Sequence, residues 1–373
     1  MESIKIKHPA LGLKQEWLDL IRSKAAESES IGVLHQDILQ LIYAEQWFNL
    51  LVPYEYGGMS HTLPEVVRLE ESLAWADGSL GWTVTLCAGA SWFAGFLEPA
   101  VAEMIFADKK ACLSGSGAAS GTAEVIPEGY RLHGRWKYAT GIPHATWITA
   151  NCVITENGKN CLDAEGNPVI KSFIVDAASV NIISDWNTVG LKATASQSFE
   201  IHNLIVNESQ CFEINPARSR FDEPVFRYPF LQLAEVTLAA NSSGMAVNFI
   251  DLAEGVFMER AARKKLKPEE AAVLTQAVSH AKNRMNTARA DFYTALDRSW
   301  NILAAENAIS AQVLNTVSRT SRELALTARQ CVDELYPFCG LAAAVPQSDL
   351  NRVWRDIHTA SQHSLLTFTK ENS

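Results

Sequence analysis

The chain has 373 residues, 47% of them hydrophobic and 20% charged, enough to bury a large interior across two or three domains. Its formal net charge is −10, from 32 basic and 42 acidic residues with no long basic run, which argues against nucleic acid or an anionic membrane surface as partner. Seven scattered cysteines contain no C-x-x-C pair, so neither a zinc site nor a disulfide framework is signalled and a reducing cytoplasm is expected.

The opening MESIKIKHPALGLKQEW has no apolar signal core. Through residues 1–110 the pattern is helical: Trp17, Leu20, Ile21 and Ala25 recur at helical spacing, as do Leu34, Ile38, Ile42 and Tyr43. After the Gly-Gly break in LLVPYEYGGMS, Pro64 stands where a first helical turn tolerates it. The most apolar run, 81–97, is short for a membrane span and rich in small residues, so it predicts a buried helix.

The second zone, 111–215, opens on ACLSGSGAASGTAEV, dense in glycine and hydroxyl residues. Such a segment either lets backbone N–H groups approach a ligand or forms a flexible surface loop. It is not a G-x-G-x-x-G between strand and helix, so a Rossmann site is not supported. The β-rich runs YRLHGRWKYAT, TWITANCVIT, VIKSFIVD, VNIISDW and SFEIHNLIVNE follow, separated by turn clusters. With no helices between them, they predict an antiparallel sheet closing into a barrel or sandwich.

The third zone, 216–373, reads as long helices over 228–263, 268–304, 306–336 and 350–369, with a basic bend after the first. That is the arithmetic of an antiparallel four-helix bundle. The expected fold class is α+β and multidomain: an N-terminal α-helical domain, a central antiparallel β domain and a C-terminal bundle.

Two stretches could carry chemistry. GRWKYATGIPHATW sets Trp136, Tyr138 and Trp147 around Thr140 and His144, which suits a planar heterocycle and equally an aromatic cluster in a β-barrel core. The other is NRVWRDIHTASQHSLL, residues 351–366, with two histidines, two arginines and an aspartate on a helical pattern. On a continuous helix His358 and His363 stand about 140° apart, which disfavours a shared metal ion. Asp356 and His363 would lie about 10 Å apart along the axis, which excludes a dyad within the helix.

Several segments taken together resemble the acyl-CoA dehydrogenase fold family. LLVPYEYGG resembles its N-terminal signature, CLSGSGAASG its flavin-contacting segment, LHGRWKYATG its G-x-K-x-W-I-T-N stretch, and MERAARKKL followed by Gln276 its E-R-x-x-F … Q element. The resemblance covers nearly the whole chain. It implies flavin contacts at Leu113, Ser114, Ser120, Tyr138 and Thr140, with Arg260 reaching a cofactor phosphate in a neighbouring subunit of a homotetramer. The family's T-E-P-x-x-G-S-D motif is only partly kept, since Gly115 and Gly121 replace its acidic residues.

The family's dehydrogenases use a glutamate base, and here both usual positions depart. Aligning Arg355-Asp356 with the family's R-D places His363 and Ser364 where Tyr-Glu would stand, and the other position falls on Ala234, one residue before Glu235. GSLGWTVTL, GRWKYATGIPHATW and RDIHTASQH are instead similar to segments of the two-component flavin monooxygenases. That branch implies Thr140 near flavin N5, ahead of His144, with Trp82, Trp136 and Tyr138 as a dry aromatic wall and His363 in the substrate pocket.

The function implied is a monooxygenase that takes reduced FMN or FAD from a separate NAD(P)H reductase. It would oxidise a small aromatic or heteroatom-containing substrate through a C4a-hydroperoxyflavin, without a metal. A dehydrogenase acting on an acyl-CoA with bound FAD, and a degenerate flavin-fold binding protein, are the alternatives.

Overall fold

The computed structural model describes residues 6–216, 219–263 and 266–367. Parts of the basic bend and the last residues of the predicted final helix lie outside these ranges, as do residues 1–5. The N-terminal zone contains α1 (Gln15–Ile31), α2 (Gln36–Ala44), α3 (Leu63–Ala76), α4 (Gly78–Ser91) and α5 (Pro99–Phe106). Thr62 and Glu65 open α3 with a capping interaction in which the Thr62 N–H donates to the Glu65 carboxylate at 2.9 Å.

Helix α4 is the apolar run of the sequence, and all but two of its residues are buried. Among the described residues no helix is long and apolar enough to cross a membrane. A Cβ at Gly81 would meet the Ala74 backbone at 2.5 Å, so glycine there lets α4 lie tightly against α3.

The β zone contains β1 (Leu113–Ile126), β2 (Gly129–Ala139), β3 (Trp147–Glu156), β4 (Lys159–Asn160), β5 (Ile170–Asp176), β6 (Asn181–Ile183), β7 (Gln197–Val206) and β8 (Cys211–Phe212). The strand order is β6-β7-β2-β1-β3-β5-β8, with β4 on β3. The sheet is mixed rather than antiparallel, because β1 and β3 run parallel with Leu113 opposite Trp147. The chain leaves β1 through the hairpin with β2, and β3 returns on the far side of β1. A strand thus acts as the crossover for which sequence reading looks for a helix.

The glycine-rich opening of this zone is a strand and not a loop. A Cβ at Gly115 would strike Thr149, and one at Gly121 would strike the Trp136 ring. Both glycines are there for close packing within the sheet.

The C-terminal zone follows the short α6 (Pro224–Arg227) with α7 (Phe230–Ala262), α8 (Pro268–Glu306) and α9 (Ala311–Cys339). Then come α10 (Leu341–Ala344), α11 (Asp349–Ala360) and α12 (Ser364–Thr367). Three helices are long, and α11 is a short fourth that packs on α7 and α9. The single last helix expected from sequence is broken after Ala360, where Ser361 caps α11 and a bend precedes α12. Angles counted along a continuous helix therefore do not apply to His363. The zones are locked by Glu71 of α3, whose buried carboxylate accepts from Arg289 at 2.7 and 2.8 Å and from the Tyr293 hydroxyl at 2.6 Å on α8. Every oxygen of that carboxylate is matched, as burial of a charge requires.

Candidate functional site at the junction of three zones

Thr140 follows β2 and is buried. Its carbonyl accepts from the Ser114 hydroxyl at 2.7 Å and from the Cys87 thiol at 3.7 Å. The segments containing Ser114 and Thr140 therefore meet, with α4 against them. Gly141 takes φ 72°, and a Cβ there would press on Cys87 Sγ at 2.8 Å. The glycine thus serves both the left-handed turn and the close approach to α4.

The Thr140 side chain lies 2.8 Å from Ser196 Oγ, which lies 2.8 Å from Thr194 Oγ1. The Thr194 hydroxyl donates to the Leu191 carbonyl at 2.8 Å. These residues belong to the loop between β6 and β7, which sequence reading passed over. The loop is a meeting point of the whole chain. Leu191 N–H donates to Asp356 of α11 at 2.6 Å, and Gly190 N–H donates to Thr359 at 3.1 Å. Arg355 donates to Val189 O at 2.7 Å and pairs with Glu29 of α1. Leu191 and Ala195 take positive φ of 51° and 44°, a backbone that residues other than glycine rarely adopt. The available signal was ATAS, a second hydroxyl-rich stretch between strands, similar in composition to the 111–125 opening.

The neighbouring carboxylates are under strain from burial. Desolvation pushes the Asp356 carboxyl up to about 7, with the nearby Asp77 charge adding to it, although Leu191 N–H and Arg352 pull the other way. Burial likewise raises Asp77, against the pull of Arg352. Arg355 and Asp356 are thus tied into the loop and the helix end.

Tyr138 is 70% exposed, takes φ 66° and meets Trp186 edge-on at 6.2 Å between centroids. A bulky residue in left-handed backbone is uncommon and strained, and here it holds an aromatic face open beside Thr140. Ser120 is exposed and donates to Arg135 O at 2.8 Å, while Leu113 and Ser114 are fully buried. Trp136 stacks on Phe199 at 5.0 Å inside the sheet core, so it forms no part of an open wall. An exposed aromatic face beside a fixed hydroxyl fits a flat flavin ring system.

His144 closes the short turn after Gly141, with its Nε2 buried and unpartnered. Burial pulls its pKa down to about 4, so the ring is neutral near pH 7.

His363 sits in the bend between α11 and α12. Its Nδ1 accepts from Leu365 N–H at 3.3 Å, and a backbone N–H can only donate, so in the neutral ring the proton sits on Nε2. Burial lowers its pKa from 6.5, which favours that neutral form. The ring meets the edge of Trp82 at 6.1 Å. Ser364, the first residue of α12, is exposed. His358 is spent elsewhere, bonded to Trp354 O and Asp333.

At 100° per residue, Trp82, Leu86, Gly89 and Phe93 form one strip along α4 and the turn after it. Leu86, Gly89 and Phe93 are partly exposed on an otherwise buried helix, and a Cβ at Gly89 would meet nothing within 4 Å. On one flank of the strip, Thr83 and Cys87 face the Thr140–Gly141 turn. On the other, Thr85 accepts from Asn241 of α7 at 2.7 Å and Trp92 stacks on Phe230 at 5.6 Å. The strip thus runs, as a candidate groove, between the β zone and α7, with His363 at its Trp82 end.

Ala234 lies one helical turn beyond Phe230 on the face of α7 toward α4. Glu235, about 100° away, is buried against α9 and bonded to Ser318 and Arg322. It does not reach the groove. Arg260 donates to Phe338 O at 2.7 Å and to Cys339 O, the carbonyls that end α9. Among the described residues, no three His, Cys, Asp or Glu side chains gather as metal ligands would.

Residues 236–368 match the family model described as acyl-CoA dehydrogenase, C-terminal domain. The chain is 25% identical over 352 residues to an indole-3-acetate monooxygenase of Pseudomonas putida, covering 94% of this chain and 88% of the relative. It is 24% identical over 367 residues to the oxygenase subunit HsaA, a flavin-dependent monooxygenase of Rhodococcus jostii, covering 93% and 92%. Among solved structures, XiaF from a Streptomyces species, in complex with FADH2 and glycerol, superposes with a TM-score of 0.80 at 24% identity, covering 94% and 89%. The chain has the acyl-CoA dehydrogenase fold, and the relatives named here are monooxygenases.

Proposed function

We propose that the chain is the oxygenase component of a two-component flavin-dependent monooxygenase. It takes reduced flavin from a separate NAD(P)H reductase and oxidises a small aromatic or heteroatom-containing substrate with dioxygen. The observation that carries this reading is the chemistry of the groove. The two positions where the fold's dehydrogenases carry a glutamate hold Ala234 and the His363-Ser364 pair, while Glu235 is turned into α9. Removal of an α-proton would need a base there, whereas oxygen transfer needs a dry pocket and fixed hydrogen bonds.

When bound, reduced flavin supplies the electron pair and the centre at which oxygen is activated. The chain supplies the rest. Thr140 holds its hydroxyl where flavin N5 would stand, with Ser114 fixing its carbonyl and Leu113 backing it. Tyr138 offers a ring face, and Ser120 lies at the exposed rim. Trp82, Leu86 and Phe93 keep water out. His363 presents Nε2–H, so it orients a substrate oxygen by donating a hydrogen bond. His144 and Ser364 shape the two ends.

Either FAD or FMN suits the Thr140 end, and the FADH2 in the Streptomyces structure favours FAD. Met258, Val273, Leu326 and Phe338 are large apolar groups exposed on α7, α8 and α9, which supports a homo-oligomer, in our reading a tetramer. Arg260 retains N–H donors beyond those spent on α9, and one of them would reach a neighbour's cofactor phosphate. We place the enzyme in the cytoplasm.

The test supplies enzymatically reduced FAD, air and a panel of phenols and indoles. Hydroxylated product supports the proposal. Reduction of bound FAD by an acyl-CoA under nitrogen, with no hydroxylated product in air, overturns it.

A further inference from the structure

The hydroxyl chain Thr140–Ser196–Thr194 ends on a group that cannot donate. Leu191 O receives the Thr194 hydroxyl at 2.8 Å, Trp186 Nε1–H at 3.0 Å and Thr194 N–H at 3.2 Å. All three neighbours must point their hydrogens at it, because two oxygens at 2.8 Å with no proton between them repel. Thr194 has one hydroxyl hydrogen, and it is spent there. The 2.8 Å contact between Thr194 and Ser196 is then a hydrogen bond only if Ser196 donates. Ser196 in turn has no hydrogen left for Thr140, so the 2.8 Å contact between them requires Thr140 to donate. The proton order therefore runs one way, from Thr140 to Ser196 to Thr194 to Leu191 O.

The geometry points to a role for Ser196 and Thr194 as positioning residues that make Thr140 an acceptor toward the flavin, so that the site prefers the reduced cofactor. This rests on the reading above, in which flavin N5 lies against Thr140. Reduced flavin carries a hydrogen on N5 and donates, whereas oxidised flavin has a bare N5 and accepts. An outward-facing lone pair on Thr140 matches the first. To serve the second, Thr140 would have to turn its hydrogen outward and break the order behind it, losing about one neutral hydrogen bond. A carbonyl three residues before Thr194 would thus set which redox state the chain holds, without a charged group at N5. The preference also has a use: product-state flavin, once oxidised, would be released for the reductase to recharge.

The test measures dissociation constants of reduced FAD, under nitrogen, and of oxidised FAD, for the full-length protein and three variants. Wild type should bind reduced FAD more tightly. In S196A, Thr140 has no acceptor behind it and is free to donate, so the reduced-over-oxidised preference should fall by about fivefold, equivalent to roughly 1 kcal/mol. T194V should act in the same direction, because Ser196 is then free to donate to Thr140. Circular dichroism and melting temperature identify any variant that fails to fold, and the second substitution then stands in for it.

T140V separates the two claims. If T140V leaves both constants unchanged, flavin does not lie at Thr140 and the site reading fails. If T140V changes them while folded S196A and T194V keep the wild-type ratio, the proton order is overturned and the site reading stands.

Discussion

The two ends of the site are built differently. At the Thr140 end each hydroxyl has a neighbour, and the loop carrying Thr194 and Ser196 is fastened to α1, α11 and the sheet. At the His363 end one backbone N–H on Nδ1 holds the ring, in a bend between two helices, beside an apolar groove with open space at Gly89. Over-determined geometry suits a cofactor that must be held in one place. A looser end suits a substrate pocket that evolution can refit without disturbing the flavin.

The largest expected effect comes from the rigid end. T140V should lower product formed per reduced flavin on the order of a hundredfold, the scale of losing one preorganised group at a reacting centre. The surplus oxygen should appear as hydrogen peroxide in a peroxidase-coupled assay. Equal yields in wild type and variant would mean that this end is not where the flavin reacts.

At the loose end, H363A should cut substrate oxidation by about tenfold to a hundredfold while leaving the FAD dissociation constant unchanged. H363Q separates the roles, because its amide N–H can stand near the position of Nε2–H. Partial recovery in H363Q is expected of a hydrogen-bond donor, whereas a proton-abstracting histidine would not be rescued. The rate should also fall only on the acid side, below the ordinary histidine range near 6.5, because burial lowers the His363 pKa and a proton on Nδ1 would break the Leu365 N–H bond that holds the ring.

The groove between the ends gives a smaller and more selective effect. G89F should raise KM for bicyclic substrates about tenfold, with little change for monocyclic ones, because the space it fills is open. G89A should add about 0.5–1 kcal/mol of stability in a denaturant titration, as expected for a mid-helix glycine whose Cβ meets nothing.

A last effect, away from catalysis, is on acid stability. His144 titrates near 4 in the folded chain and near 6.5 when unfolded, so the unfolded state binds the extra proton between those values. Stability should therefore fall as pH drops from 6.5 toward 4. H144L should flatten that limb in melting curves; an unchanged limb would show that His144 is not its source. Glu70 of α3 acts in the opposite sense. Burial raises it to about 8, so its contribution is lost as pH climbs from 4.5 to about 8.

The order of the zones was legible in the chain, and the candidate site was proposed from it. Alternating and helical spacing marked most elements, and the resemblance pointed to Thr140, Tyr138 and His363 together. Three features escaped for physical reasons. For the 111–125 segment a ligand-approaching stretch and a flexible loop were both left open, because glycine signals freedom, yet Gly115 and Gly121 are small to fit under Thr149 and Trp136. The parallel pairing of β1 with β3 is invisible to patterning, which reads period and not partner. Ser196 and Thr194 are ordinary loop residues until tertiary contacts line up their hydroxyls.

The most direct measurement of the central claim is a single turnover. The protein is loaded with one equivalent of reduced FAD under nitrogen, then mixed with 18O-labelled dioxygen and an indole or phenol that it hydroxylates. The account predicts one 18O atom in each product molecule, with the other leaving as water. Unlabelled product, or flavin that an acyl-CoA reduces before oxygen is admitted, would contradict it.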